Sequence, residues 1–169
     1  MTASRLPLWT FLATTLLFVT SVAVSVNVLP AQVAIHFDAA GDPDDWISRT
    51  THITGFIALG LGLSAFMLGI AYIIRFFPPS TLNVPRQAYW RAPENYPRAC
   101  AFFVHHTFWL AALNNLFMTA LHQGVVGANS ESPSDLLLRD IGIGTGLFVT
   151  GLLVWCVFLL RFYLKAPRT

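Results

Sequence analysis

Charged residues are scarce in this sequence: eight acidic and ten basic side chains account for 11% of its 169 residues. Soluble domains carry about 25% charged residues, so the composition excludes an ordinary soluble globular protein. Apolar residues make up 55% of the chain, and the mean hydropathy is +0.61. The sequence therefore predicts an integral membrane protein.

The sequence also has few cysteines and lacks recognisable catalytic or nucleic-acid-binding motifs. The only two cysteines, Cys100 and Cys156, have no metal-ligand spacing and are expected to be reduced, buried thiols. No serine, cysteine or histidine constellation has hydrolase spacing, and no glycine-rich loop follows a strand. Basic residues flank the apolar runs instead of forming one stripe, which disfavours a nucleic-acid partner. We predict neither an enzyme nor a bound cofactor or metal.

Four runs without charged residues are long enough to cross a bilayer, which needs about 20 residues in a helix. They lie at residues 8–29, 53–74, 101–123 and 141–160. The second and fourth runs carry small residues at helical spacing, which favours close helix packing. These are Ala58, Gly62, Ala65 and Gly69, and then Gly142, Gly146 and Thr150. The predicted fold is a single all-α domain, residues 1–169, with four transmembrane helices.

The orientation follows from the charges outside these runs. Eight of the ten basic residues, but only one of the eight carboxylates, lie before the first run, between the second and third, or after the fourth. Cytoplasmic loops are enriched in Lys and Arg. We therefore expect both termini in the cytoplasm and residues 29–50 outside.

Residues 29–50 form the long polar segment between the first two runs. Val33, Ile35 and Phe37 alternate with polar or small residues, as in a short half-buried strand. Glycine, proline and aspartate then favour turns and helix N-caps. The aspartates in this part are Asp42, Asp44 and Asp45. The segment predicts a strand and turn that cap the outer face.

The same segment contains candidate ligand-binding residues. His36 and Asp38 fall on one side of the expected strand, and three more aspartates follow. Imidazole and carboxylate groups can bind a cation, but the spacing differs from an EF-hand. Turn formation and capping alone also explain the aspartates. We expect recognition of a ligand or peptide in preference to a metal.

The third run is the most polar. Asn115, Thr119 and His122 lie at i, i+4 and i+7, so they share one face of a helix. Polar side chains at this depth either hydrogen-bond between helices or line a cavity. Because the stripe runs towards the outer end, it could meet His36 and Asp38 in one outward-facing polar pocket.

The inner segment, residues 81–99, contains three prolines, which prevent a long regular helix. They are Pro85, Pro93 and Pro97. Tyr89 and Trp90 lie among arginines, a combination suited to the headgroup region of a membrane. The segment is therefore either an interfacial anchor or a docking surface for a cytoplasmic partner.

Two loops resemble a known pattern. LPAQVAIHFDAAGDPDDWISR is similar to the segment "LP..IP.HF...G.PDGW.SK" in the N-terminal domain of unknown function of SdpI-type bacterial immunity proteins. LNVPRQAYWRAPEN resembles the "N.PN...YWL.PE" stretch of a four-helix branch of that family. The resemblance implies a multi-pass protein of the bacterial inner membrane. It adds Trp46 to the ligand-binding residues and marks a partner or interface set: Asn83, Pro85, Tyr89, Trp90 and Glu94.

Some members of that family protect against a secreted peptide toxin and relay its presence to a regulator. We accordingly expect a binding, immunity-like or sensory protein that meets a peptide or small amphiphile at its outer loop. Two other classes stay open. One is a small transporter or channel that uses the polar stripe of the third helix, and the other is a structural subunit of a membrane complex.

Overall fold

The computed structural model describes residues 4–38, 42–130 and 136–166. Within the last range, it describes the backbone alone for residues 136–141. The described chain is mostly helical, with one small sheet. Its elements are α1 (Leu6–Ser25), β1 (Gln32–Phe37), β2 (Pro43–Ser48), α2 (Arg49–Ile73), α3 (Gln87–Arg91), α4 (Tyr96–Ala128) and α5 (Leu136–Leu164). We call the end of the helices that carries the β1–β2 hairpin the hairpin end. The opposite end, which carries residues 74–95, is the loop end.

Three helical segments are long and apolar enough to cross a membrane: Leu6–Ser25, Arg49–Phe76 and Gly142–Leu164. They correspond to the first, second and fourth predicted spans. The third, α4, has 33 residues and therefore sufficient length, but its histidine and asparagine side chains make it less apolar than the other three.

Helix α4 is the centre of the bundle, because it packs against α1, α2 and α5, whereas α1 and α2 touch each other much less. Its position explains its composition. Asn114, Asn115 and His122 are buried because α4 is surrounded by other helices rather than by solvent or lipid. The most polar of the four long helices is thus the one most enclosed by protein.

The closest helix contacts lie at glycines other than those predicted. A Cβ added to Gly60 would lie 2.5 Å from Cζ of Phe18, and one on Gly151 would lie 2.8 Å from Cδ1 of Leu113. The glycines of the predicted faces instead have no atom within 4 Å of that point: Gly62, Gly69, Gly142 and Gly146. The prediction was wrong about the packed face of α2, where Gly60 and Ser64 are buried instead.

The hairpin is a two-stranded antiparallel sheet. The predicted strand is β1, but its alternation is interrupted by register shifts on either side of His36. Val33 and Ala34 are therefore both buried, and Ile35 is exposed. The predicted turn and helix N-cap at Asp44 and Asp45 were wrong. Pairing with β1 draws both residues into β2, and Ser48 caps α2 by accepting a hydrogen bond from the backbone N–H of Thr51, 3.1 Å.

The loop end folds as short pieces, as its prolines predicted. Two 3₁₀ turns, Ile74–Phe76 and Pro79–Thr81, precede α3, which is only five residues long. Helix α4 begins at Tyr96 with Pro97 in its first turn, where a missing N–H costs nothing. The pieces close over the bundle through a core cluster of Leu82, Trp90, Tyr96, Ala99, Cys100, Tyr163 and Ala166.

Candidate functional site

The hairpin is fixed to the helices by hydrogen bonds to its backbone. The side chain of Asn129, which follows α4, accepts from the N–H of Ala34 at 2.8 Å and donates to its carbonyl at 2.9 Å. Arg49, the first residue of α2, donates to the carbonyls of Val26 and Leu29, each at 2.9 Å. Asn129 therefore ties the middle of β1 to the end of α4, and Arg49 ties the chain just before β1 to α2, which holds the hairpin against the helices.

The Asn129 bonds also occupy the outward-pointing backbone groups of Ala34 on the β1 edge of the sheet. Ala34 stands opposite Trp46, and its N–H and carbonyl point away from β2 towards Asn129. In an antiparallel pair, the groups of the opposite residue then also point outwards. The backbone N–H and carbonyl of Trp46 therefore face the outer edge of β2, a strand whose residues are exposed except for the half-buried Ile47.

The exposed surface of the hairpin combines an indole, an imidazole and carboxylates. Trp46 is 49% exposed. The Nδ1 of His36 lies 2.5 Å from a carboxylate oxygen of Asp44, with which it forms an ion pair when protonated. This hydrogen bond and the charge of Asp44, supported by the charges of Asp45 and Asp38, raise the pKa of His36 above its usual 6.5.

Asp38 and Asp42 are hydrogen-bonded to each other beside the last residue of β1 and the first residue of β2. The backbone N–H of Asp42 donates to the Asp38 carboxylate at 2.9 Å, and the N–H of Asp38 donates to the Asp42 carbonyl at 2.9 Å. These two candidate ligand residues therefore shape the hairpin, whereas His36, Asp44 and Trp46 form its exposed surface. The structure brings the predicted hairpin residues together.

The predicted stripe of α4 lies in the interior of the bundle. Asn115 is fully buried and donates to Oγ1 of Thr15 on α1 while accepting from Oγ of Ser64 on α2, both at 2.8 Å. Asn114 adds a bond to Ser64 at 3.1 Å. Thr119 bonds to the Asn115 carbonyl of its own helix. The amides of α4 thus join α1 and α2 at mid-helix.

A second polar group joins the same three helices near the hairpin. His122 is fully buried, with Nε2 2.9 Å from Oγ of Ser25 on α1 and Nδ1 3.3 Å from Nε2 of His52 on α2. The two imidazole rings stack at 5.3 Å between centroids. His122 therefore faces its helical neighbours, whereas His36 and Asp44 face outwards, and the structure keeps these two sets of residues apart.

Comparison with known proteins gives one family assignment for part of the chain. Residues 12–61 match the family model described as Domain of unknown function (DUF1648). No curated protein and no solved structure matches the chain.

The DUF1648 segment, residues 12–61, contains most of α1, the whole hairpin and the first half of α2. It therefore includes the exposed residues His36, Asp44 and Trp46, and also the buried Ser25 and His52 that contact α4. The matched segment is the part of the chain that forms the candidate binding surface and anchors it to the central helix.

Several polar residues of the bundle interior were not predicted as site residues from the sequence. They are Thr15, Ser25, His52, Ser64 and Asn114. Each lies in a long helix, with Asn114 directly beside the predicted Asn115, and three of them belong to the DUF1648 segment. Their polar side chains were the available signal, because an unbonded hydroxyl, amide or imidazole is costly in an apolar environment. Their partners on other helices could not be identified without the packing.

The partner set predicted at the loop end is split by the structure. Trp90 is only 2% exposed and donates its indole N–H to the Tyr163 carbonyl at 2.9 Å, so its ring packs inside the protein. Pro85 and Tyr89 are half-buried, whereas Asn83 and Glu94 are exposed. The hairpin is thus the more open of the two predicted surfaces.

Proposed function

We propose that this chain is a four-span protein of the bacterial plasma membrane whose outward-facing hairpin binds a cationic amphipathic peptide. The function is recognition and not catalysis. A rigidly mounted, exposed surface that combines Trp46 with carboxylates is the observation that carries this proposal.

The fourth span of the proposal is α4. Its 33 residues extend over about 50 Å at 1.5 Å per residue, more than the ~30 Å hydrocarbon core of a bilayer. Its buried amides and His122 bond to α1 and α2, and polar groups of membrane helices usually face the bundle interior in this way. Low hydropathy is therefore compatible with a span at the centre of the bundle.

The proposed orientation has the loop end in the cytoplasm. Arg75, Arg86, Arg91 and Arg98 lie at the loop end, and Arg161 and Lys165 lie in or just after the last turn of α5. The hairpin instead carries four aspartates. An excess of basic residues on the cytoplasmic side is the general rule for membrane proteins. The acidic hairpin then faces outwards.

The chemistry of the hairpin selects its ligand. Asp44 and Asp45 would attract a cationic peptide and repel anionic lipid, while the exposed indole of Trp46 offers an apolar contact. The outward-pointing backbone groups of Trp46 also suit an extended peptide that adds a strand beside β2. Because Asn129 and Arg49 hold the hairpin in place, little ordering entropy would be lost on binding.

The resemblance to SdpI-type immunity proteins agrees with a peptide ligand. It rests on the hairpin sequence and on the loop-end sequence LNVPRQAYWRAPEN, of which the hairpin sequence lies in the DUF1648 segment. On this basis we propose an immunity-like or sensory role, in which the ligand is a secreted peptide and the loop end contacts the membrane surface or a cytoplasmic partner.

The test is binding of a fluorescent peptide with alternating Lys and Val residues to the purified protein in nanodiscs of zwitterionic lipid. Trp46→Ala should weaken binding by about 30-fold, since an interface anchor of this kind contributes about 2 kcal/mol. Trp9→Ala is the matched control, because Trp9 is 61% exposed at the opposite end of the bundle. The same peptide with Glu in place of Lys should not bind.

Equal loss of affinity in both tryptophan variants would mean that the peptide binds the protein or the disc nonspecifically. Equal binding of the Lys and Glu peptides would exclude the acidic hairpin as the recognition surface. Either result refutes the proposed function.

A further inference from the structure

A continuous groove runs between α4 and α5 towards the loop end. It consists of two adjoining cavities of about 550 and 600 Å³. His106 and Phe158 line both cavities and mark where they meet. The Nε2 atom of His106 is hydrogen-bonded to the Trp155 carbonyl, and the side chain of Phe158 is apolar.

The two halves of the groove differ in chemistry. The half nearer the middle of the helices is lined mainly by apolar side chains, among them Trp109, Leu116 and Val154. The half at the loop end has an aromatic wall but ends at Arg161 and Lys165. In the part of the chain that the structure describes, neither cation has a carboxylate within ion-pair distance. The groove is thus apolar along its length and cationic at one end.

The length of the groove fits one leaflet of a bilayer. Gly151 lines the end of the groove near the middle of the helices, and Lys165 lines its end at the loop end. The two positions are separated by about 21 Å along a helix at 1.5 Å per residue. Half of a ~30 Å hydrocarbon core plus ~6 Å of headgroup region gives about the same distance. The cations therefore lie at headgroup depth when the apolar half lies among acyl chains.

We propose that this groove binds one anionic phospholipid, with its phosphate at Arg161 and Lys165 and an acyl chain along Phe158 and Val154. Basic pockets between transmembrane helices on the cytoplasmic side bind anionic lipid headgroups in this way. The inference rests on the proposed membrane insertion and orientation of α4 and α5 but not on the hairpin or its peptide, so failure of lipid binding and failure of peptide binding are distinguishable.

The experiment titrates the detergent-purified full chain with phosphatidylglycerol or with phosphatidylcholine of the same acyl chains, and counts bound lipid by native mass spectrometry. Each basic residue near a lipid surface contributes about a five-fold gain in affinity, so phosphatidylglycerol should bind about 25-fold more tightly than phosphatidylcholine. The double variant R161Q/K165Q should reduce phosphatidylglycerol binding to the phosphatidylcholine level.

Two matched controls separate the groove from general effects. R5Q/R75Q removes two exposed charges at the same end of the bundle but outside the groove, and should leave the lipid preference unchanged. Val154→Trp should fill the groove and weaken both lipids, whereas Val157→Trp, on the same helix and equally exposed at 49% against 50%, should weaken neither.

Equal affinity for the two lipids would overturn the proposal, as would equal effects of the two charge variants or of the two tryptophan variants. Excess inorganic phosphate should not displace phosphatidylglycerol from the wild type. Displacement would identify a simple anion site and would also overturn the assignment.

Discussion

His106 and Trp155 hold α4 and α5 together through two reciprocal hydrogen bonds. Nε2 of His106 donates to the Trp155 carbonyl, and the Trp155 indole N–H donates to the His106 carbonyl, both at 3.0 Å. The rings stack at 5.0 Å with an angle of 11° between their planes. Since a carbonyl can only accept, the bond fixes the proton of His106 on Nε2. The pair aligns α5, whose main neighbour is α4.

We therefore expect Trp155→Phe to destabilise the bundle, because it removes one of the two bonds while keeping an aromatic ring. The loss should be about 0.6 kcal/mol, the average for side-chain bonds between membrane helices, and at most about 1.7 kcal/mol. Unfolding in mixed micelles of increasing SDS content measures it. Trp9→Phe, on the exposed part of α1, is the control, and equal effects of the two variants would refute the role of the pair.

The close contact between α1 and α2 gives a second prediction. A Cβ at Gly60 would lie 2.5 Å from the fully buried ring of Phe18, whereas Gly62 has open space around the same position. Gly60→Ala should cost about 1–3 kcal/mol, as overpacking of a filled core does. Gly62→Ala should change stability by less than about 0.5 kcal/mol. Thermal unfolding of both variants decides between them, and a neutral Gly60→Ala would contradict the packing.

The amide of Asn115 should be more important for stability than its neighbour Thr119. Asn115→Ala removes the acceptor of the Ser64 hydroxyl and the donor to Thr15, whereas Asn114 still donates to Ser64. A buried polar group that loses its partner costs about 1–3 kcal/mol. Thr119 bonds only within α4, so Thr119→Ala should have a small effect. If both variants fold as stably as the wild type, the stripe does not hold the helices together, and a role in transport gains support.

Three long apolar helices and the broken loop end could be predicted from the sequence because they depend on local properties. Runs such as 53–74 show their apolar character directly, and Pro85 and Pro97 exclude a continuous helix wherever they are placed. The strand at Val33 was also recognisable from its alternation. Each of these signals lies within about twenty residues of chain.

The rest depends on contacts between distant residues. The packed face of α2 is set by Phe18 against Gly60 and by the bond between Ser64 and Asn115, which are separated by 51 positions. Likewise, Asp44 favours turns by itself, but pairing of β2 with β1 places it in a strand. Hydropathy also gives no indication that the most polar helix lies at the centre of the bundle.

The raised pKa of His36 predicts a pH dependence with a definite sign. Because Asp44 stabilises the protonated form, the contact adds stability to the hairpin below pH 6.5, and this contribution is lost as the pH rises through the higher folded pKa. Loss of the His36 charge makes the hairpin more acidic. Binding of the cationic Lys–Val peptide should therefore tighten between about pH 6 and 8.

An NMR titration of His36 in the wild type and in Asp44→Asn tests this assignment. The pKa should lie above 6.5 in the wild type and move back towards 6.5 in the variant. A wild-type pKa at or below 6.5 would show that the His36–Asp44 contact does not persist in solution.

The most direct test of the central claim is the accessibility of the two ends of the bundle in intact cells. Single cysteines at Asp45 in the hairpin and at Ser80 in the loop end, in a background with Cys100 and Cys156 replaced by alanine, would be treated with a membrane-impermeant maleimide. Position 45 should be labelled in intact cells, and position 80 only after permeabilisation. Labelling of both positions from the same side would contradict the four-span topology and the outward-facing hairpin.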